Sequence, residues 1–230
     1  VTPRRALSVA LSVCVLVAAC SDDSSSDGSR GSETDVEDVL AASADEVIVP
    51  SYETLVDELD GLASDLAALC SSPSPEAVAT ARASWQDLAV AWRRTRAGGV
   101  GPAMDRRLAS AIAFAARADA VHTLLAGTDP VDEAGVDAAG AGVKGIVALE
   151  IGLFGDGADE LTAAGGARRC EYLTSVNALA RAASAEVLDD WTGGYRDEFV
   201  EGMDGDAQAS LDDLVNEVIS RAAEVDDQGL

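Results

Sequence analysis

A single histidine, His122, and a single lysine, Lys144, occur in the whole 230-residue sequence. The scarcity of imidazole removes two reaction classes. A zinc peptidase of the His-Glu-x-x-His kind needs two imidazoles on one helix face to hold the metal while a water is activated. A serine hydrolase would need His122 as its base, and no Gly-x-Ser-x-Gly elbow accompanies it. The neighbours of His122, Ala120-Val121 and Thr123-Leu124, offer no second ligand, so it reads as an edge residue of a helix. Cations are scarce altogether: 16 Lys+Arg against 41 Asp+Glu leaves a net charge of −25. Such a field repels phosphates and anionic headgroups, which excludes nucleic acid as a partner.

Aromatic residues are also few, 4% of a chain that is 48% hydrophobic, so the core has to be built from leucine, valine and alanine. Their spacing is helical and strand-type runs are rare, which predicts an all-α protein, an up-and-down bundle of four to six helices. The length suits one such domain with a leader and a tail.

Residues 1–19 read as a processing segment. Arg4-Arg5 is a short basic start, and Ala6 to Ala19 is an uncharged apolar run too short for a comfortable membrane span. Val17-Ala18-Ala19-Cys20 resembles a bacterial lipobox, with cleavage before Cys20 and lipidation of its thiol. The lipid would anchor the chain on the extracytoplasmic face of the cell membrane. Residues 20–34, rich in serine and aspartate, are expected to form a flexible acidic tether. Residues 35–230 carry the bundle. With Cys14 in the leader and Cys20 modified, Cys70 and Cys170 remain as an even pair in an oxidising compartment. We expect them to form a disulfide; two cysteines alone make a poor zinc site.

Within the bundle, Ala41 to Cys70 reads as one long helix bent near Pro50, with Tyr52, Leu55, Leu59, Leu62, Leu66 and Leu69 as its apolar stripe. Ser74-Pro75-Glu76 has the chemistry of a helix start, and the stripe that follows contains Trp85 and Trp92 as core anchors. Met104 to about Arg117 forms a third element and Val131 to Ala139 a short helix. Another long helix opens at Arg168-Arg169-Cys170 and stops at Gly193-Gly194. The last runs from Ala207 to about Val225 with Leu211, Leu214, Val215, Val218 and Ala222 in its stripe. The acids of the intervening loop, Asp156, Asp159 and Glu160, lack the alternating ligands of a calcium loop and read as solvated charges.

The most informative run is Gly145-Ile146-Val147-Ala148-Leu149-Glu150-Ile151-Gly152-Leu153-Phe154-Gly155. A helix here buries Ile146, Leu149, Leu153 and part of Phe154, and sets Glu150 at the edge of that face, where it needs a cationic partner. The arginines at the end of the Trp85/Trp92 helix (Arg93, Arg94, Arg96) are candidates. Together with Arg-Arg-Cys-x-Tyr-Leu and Asp189-Asp190-Trp191, this run resembles the imelysin-like family of bacterial envelope proteins. Some of these are classed as peptidases and some are linked to iron uptake.

The family pattern is Gly-x-His-x-x-Glu closed by Leu-Phe-Gly. Gly145, Glu150, Phe154 and Gly155 match it, and Val147 stands where the histidine would be. Ile112-Ala113-Phe114-Ala115-Ala116 likewise keeps the frame of the family's Ile-Asp-Phe-Trp-Pro without its acid. The resemblance supports the Cys70–Cys170 pairing. It also implies a second helical bundle; the sequence in hand ends inside the first helix of that half, so the last stripe is expected to lack part of its normal cover.

Function follows as an expectation. The chain reads as a lipid-anchored, non-enzymatic envelope component related to iron or metal acquisition. Glu150 is then the surviving ligand for iron or another hard cation, and an envelope metal-transport protein the implied partner. A peptidase-family protein with residual or no activity, and an interaction module without a ligand, are the alternatives.

Overall fold

The computed structural model describes residues 28–163, 166–202 and 205–227; the leader, Cys20 and residues 21–27 lie outside that range. Among the described residues every regular element is helical. The first helix, α1 (Gly28–Ser43), passes through one π turn at Ala44–Ile48 directly into α2 (Val49–Ser71). Two expectations are corrected here. The backbone of residues 28–34 is helical rather than tether, because residues extending an existing helix avoid the cost of nucleating one. The irregularity near Pro50 is a π turn that ends two residues upstream: proline has no N–H for the carbonyl of Glu46, and the ladder widens there.

The leucine stripe of α2 is wholly buried, with Tyr52 at its start and Leu69 at its end. On one side it packs against α3 (Pro75–Thr95). That helix begins as its sequence dictates: the Ser74 side chain accepts the Ala77 N–H at 3.1 Å, and Pro75 occupies the first helical position. A 3₁₀ turn, Arg96–Gly98, follows α3.

Five short helices then cross the bundle: α4 (Pro102–Asp105), α5 (Leu108–Ile112), α6 (Ala118–Ala126), α7 (Glu133–Ala139) and α8 (Ile146–Phe154). The element expected over 104–117 is thus broken. Arg107 takes a left-handed backbone (φ 52°, ψ 43°) between α4 and α5, and the helix ends at Ile112. A 3₁₀ turn, Ala158–Thr162, lies in the loop after α8, with Leu161 buried.

The other long neighbour of α2 is α9 (Ala167–Asp190). As expected, Gly193-Gly194 breaks it: Gly194 takes a non-helical backbone (φ 139°, ψ −21°) within Trp191–Tyr195, and the chain resumes beyond that kink as α10 (Arg196–Glu201). Trp191 is fully buried there, with Tyr195 and Phe199 set edge-on to it at 4.9 and 5.3 Å between ring centroids. The last helix, α11 (Ala207–Asp227), lies against α1, α10 and the turn after α3. Leu211 and Leu214 are half-buried by those contacts, while Val215, Val218 and Ile219 face outward.

Candidate functional site

Helix α8 is the axis of the family motif, and a glycine allows a close backbone approach at each of its ends. At its start Gly145 has φ +88°, and a Cβ there would lie 2.5 Å from the carbonyl oxygen of Ile112. Only glycine accepts both conditions, so the Gly145 and Ile112 segments, separate in sequence, meet backbone to backbone. The Trp85 indole donates to the Ile146 carbonyl at 2.9 Å. At the far end Gly155 passes so close to Ile151 that a Cβ would sit 2.5 Å from its carbonyl oxygen.

Phe154, 40% exposed, stacks edge-on against Trp85, and the Arg82 guanidinium lies 5.1 Å over its ring. The same Arg82 donates to the Leu153 carbonyl at 2.8 Å. Gly145 and Phe154 therefore tie α8 to its neighbours, and Gly155 closes its last turn.

The last-turn carbonyls of a helix have no intrahelical partners and carry the negative end of its dipole. Here arginines satisfy them. Arg169 is almost fully buried and donates to the carbonyls of Gly152 (3.3 Å) and Asp156 (3.1 Å), with Glu160 3.6 Å from its Nε. Arg168 does the same for α6, reaching the carbonyls of Leu124, Leu125 and Asp129 at 2.6 to 3.0 Å. Cys170 is joined by a disulfide to Cys70 at the end of α2, with Cα atoms 5.6 Å apart. The Tyr172 hydroxyl donates to the Val143 carbonyl at 2.8 Å, just before α8.

Four residues in the first turns of α9 thus clasp α6, α8, α2 and the turn preceding α8. The roles of Arg168 and Arg169 are not visible in the helical periodicity, although one sign of them is. Two consecutive cations in the first turn of a helix oppose its dipole, so their partners must lie elsewhere.

Glu150 does not occupy the setting its sequence suggested. At 3.6 residues per turn, the buried positions Ile146, Ala148, Leu149, Gly152 and Leu153 fill one arc, and Val147, Glu150, Ile151 and Phe154 share the other. Glu150 is exposed and forms no ion pair among the described residues. The arginines proposed for it point elsewhere: Arg96 pairs with Glu224 of α11, while Arg93 and Arg94 are exposed. The need for a cation disappears because solvent hydrates the carboxylate.

Val147 is half-buried on the same stripe, one turn from Glu150, so the family's His/Glu pair would be adjacent there. Phe114, in the segment beside Gly145, is half exposed. His122 is half-buried, with its Nε2 buried and lacking a hydrogen-bond partner among the described residues.

No group of three or more His, Cys, Asp or Glu side chains among the described residues converges as a metal site. As a resident iron site the arrangement does not fit, since Glu150 by itself supplies a single oxygen-ligand side chain. No described helix is long and apolar enough to cross a membrane.

An all-helical bundle with a crossing helix bounded by Gly145 and Gly155 is the architecture these observations define. The chain belongs to the imelysin family: the imelysin (peptidase M75) family model matches residues 48–230. Among solved structures the fold is similar to an imelysin-like protein from Psychrobacter arcticum 273-4, at 19% identity and a TM-score of 0.66. The match covers 82% of this chain and 59% of that one, so the chain spans about three-fifths of its structural relative. No curated protein matches it significantly.

Proposed function

We propose that this protein is a lipid-anchored component of the bacterial envelope that serves iron or metal acquisition by binding rather than by catalysis. The observation that carries this reading is the open stripe of α8. It keeps one hard oxygen ligand, Glu150, beside Val147 instead of an imidazole, while the rest of the motif is committed to packing. A single carboxylate suits a hard cation handled as cargo, with the remaining ligands supplied by an envelope transport partner. Anchoring through Cys20 would place that stripe outside the cell membrane.

The test is a calorimetric titration of ferric and ferrous iron into the protein and into Glu150→Ala, both checked for cooperative unfolding. Weak binding that disappears in the variant is expected. Equal binding by the variant, or no binding by a folded sample, refutes cation handling at this stripe. Chelator-sensitive hydrolysis of an unfolded protein substrate would overturn the non-enzymatic part. Cys20→Ser is expected to move the protein from the membrane fraction to the soluble fraction; an unchanged distribution would refute the anchor.

A further inference from the structure

The ends of α3 and α11 and the α4–α5 corner enclose a cavity of about 250 Å³ backed by Tyr52. No residue of the Gly145–Gly155 motif lines it. Its apolar walls include Trp92, Met104 and Leu108, and three arginines, Arg96, Arg107 and Arg221, reach it. Arg96 is paired with Glu224, and Arg221 with Glu217 and Glu224. Two carboxylates therefore balance two guanidiniums. Arg107 is exposed and has no ion-pair partner among the described residues, in a chain with 25 more acids than bases.

Its position is set by unusual backbone. Among the described residues Arg107 is the one non-glycine residue at positive φ. A strained, over-determined conformation of this kind concentrates at functional sites. The preceding Arg106 is engaged elsewhere, with Asp190 and Glu186 on α9, so the left-handed step sends two consecutive arginines to different neighbours.

We propose that this cavity binds a small organic carboxylate, its anionic end forked by Arg107 and its short apolar or aromatic body held between Trp92 and Met104. A guanidinium presents paired N–H donors that match a carboxylate. One unbalanced positive charge is neutralised by one negative charge. A phosphate dianion would leave a net charge against apolar walls, where its desolvation is unfavourable. The volume lies just below the usual range for ligand pockets, which limits the ligand to a small one.

The test is a titration of the full chain with benzoate and butyrate, followed by tryptophan fluorescence, with benzamide and inorganic phosphate as comparison probes. At least one carboxylate should give a saturable response, with benzamide and phosphate about tenfold weaker or more, as loss of a charged hydrogen bond implies. Arg107→Gly should lose the response while its Tm holds, because glycine is at ease at this φ. Arg107→Lys should retain a weakened response. No saturable response to either carboxylate overturns the proposal. So does equal affinity in a folded Arg107→Gly, or binding of benzamide or phosphate as tight as that of the carboxylates.

Discussion

Arg169 and Glu150 are two charged side chains at the motif, and their surroundings give them opposite weight. Arg169 is buried with its guanidinium spent on the backbone carbonyls of Gly152 and Asp156. Arg169→Met should therefore destabilise the protein by about 3 kcal/mol, since it strands buried acceptors and leaves Glu160 without its cation. Glu150→Ala should change stability by no more than about 0.5 kcal/mol, as expected of an exposed residue outside any network. Urea unfolding of both variants checks the contrast; a larger loss from Glu150→Ala would mean that the carboxylate has a partner. At this scale the sequence marked the packing residues Ile146, Leu149 and Leu153 but asked of Glu150 a cationic partner that it does not have among the described residues. A charged residue at the edge of an apolar face reads as needing one until the arc that other helices leave open is known.

Helices were the legible elements. The α2 leucine stripe, the Ser74-Pro75-Glu76 start of α3 and the Ala207 start of α11 follow from local pattern and capping chemistry alone. Of the breaks, the one at Gly193-Gly194 was legible and the others were not. Arg107 adopts a conformation that ordinary residue preferences disfavour, and the π turn at Ala44–Ile48 prolongs a helix where proline suggests a bend. Tertiary packing decides such places, since a helix already held by its neighbours tolerates one widened turn.

The disulfide belongs to this scale because it ties α2 to α9 across 100 residues of sequence. Its removal should cost about 4.7 kcal/mol on the chain-entropy model, and less where strain or residual structure intervenes. Paired Cys70→Ser and Cys170→Ser substitutions, compared with reduction of the native protein by calorimetric Tm, measure it. An unchanged Tm would show that the arginine clasp suffices.

The whole molecule holds three tyrosines, Tyr52, Tyr172 and Tyr195, and burial pushes all three phenols above their ordinary range. For Tyr195, the carboxylates of Asp105, Asp213 and Glu198 add to the effect. A raised folded-state pKa stabilises the fold below the unfolded value of about 10, and that stabilisation fades as pH rises beyond it. Tyrosinate absorbance should thus stay low past pH 10 and then rise together with loss of the helical signal. In urea all three should titrate near the ordinary value. Gradual titration near pH 10 with the helices intact would contradict the burial described.

The clasp at the start of α9 also constrains the order in which the chain can be completed. Helices α6 and α8 and the turn before α8 depend on Arg168, Arg169 and Tyr172 for carbonyl partners, and α2 meets Cys170 only across a long loop. As the ribosome releases the chain from its N-terminus, the middle third emerges before the residues that fasten it. Its carbonyl partners on α9 are absent until α9 follows. On the envelope location proposed above, a fastening placed late in the chain would delay closure until the chain has crossed the membrane.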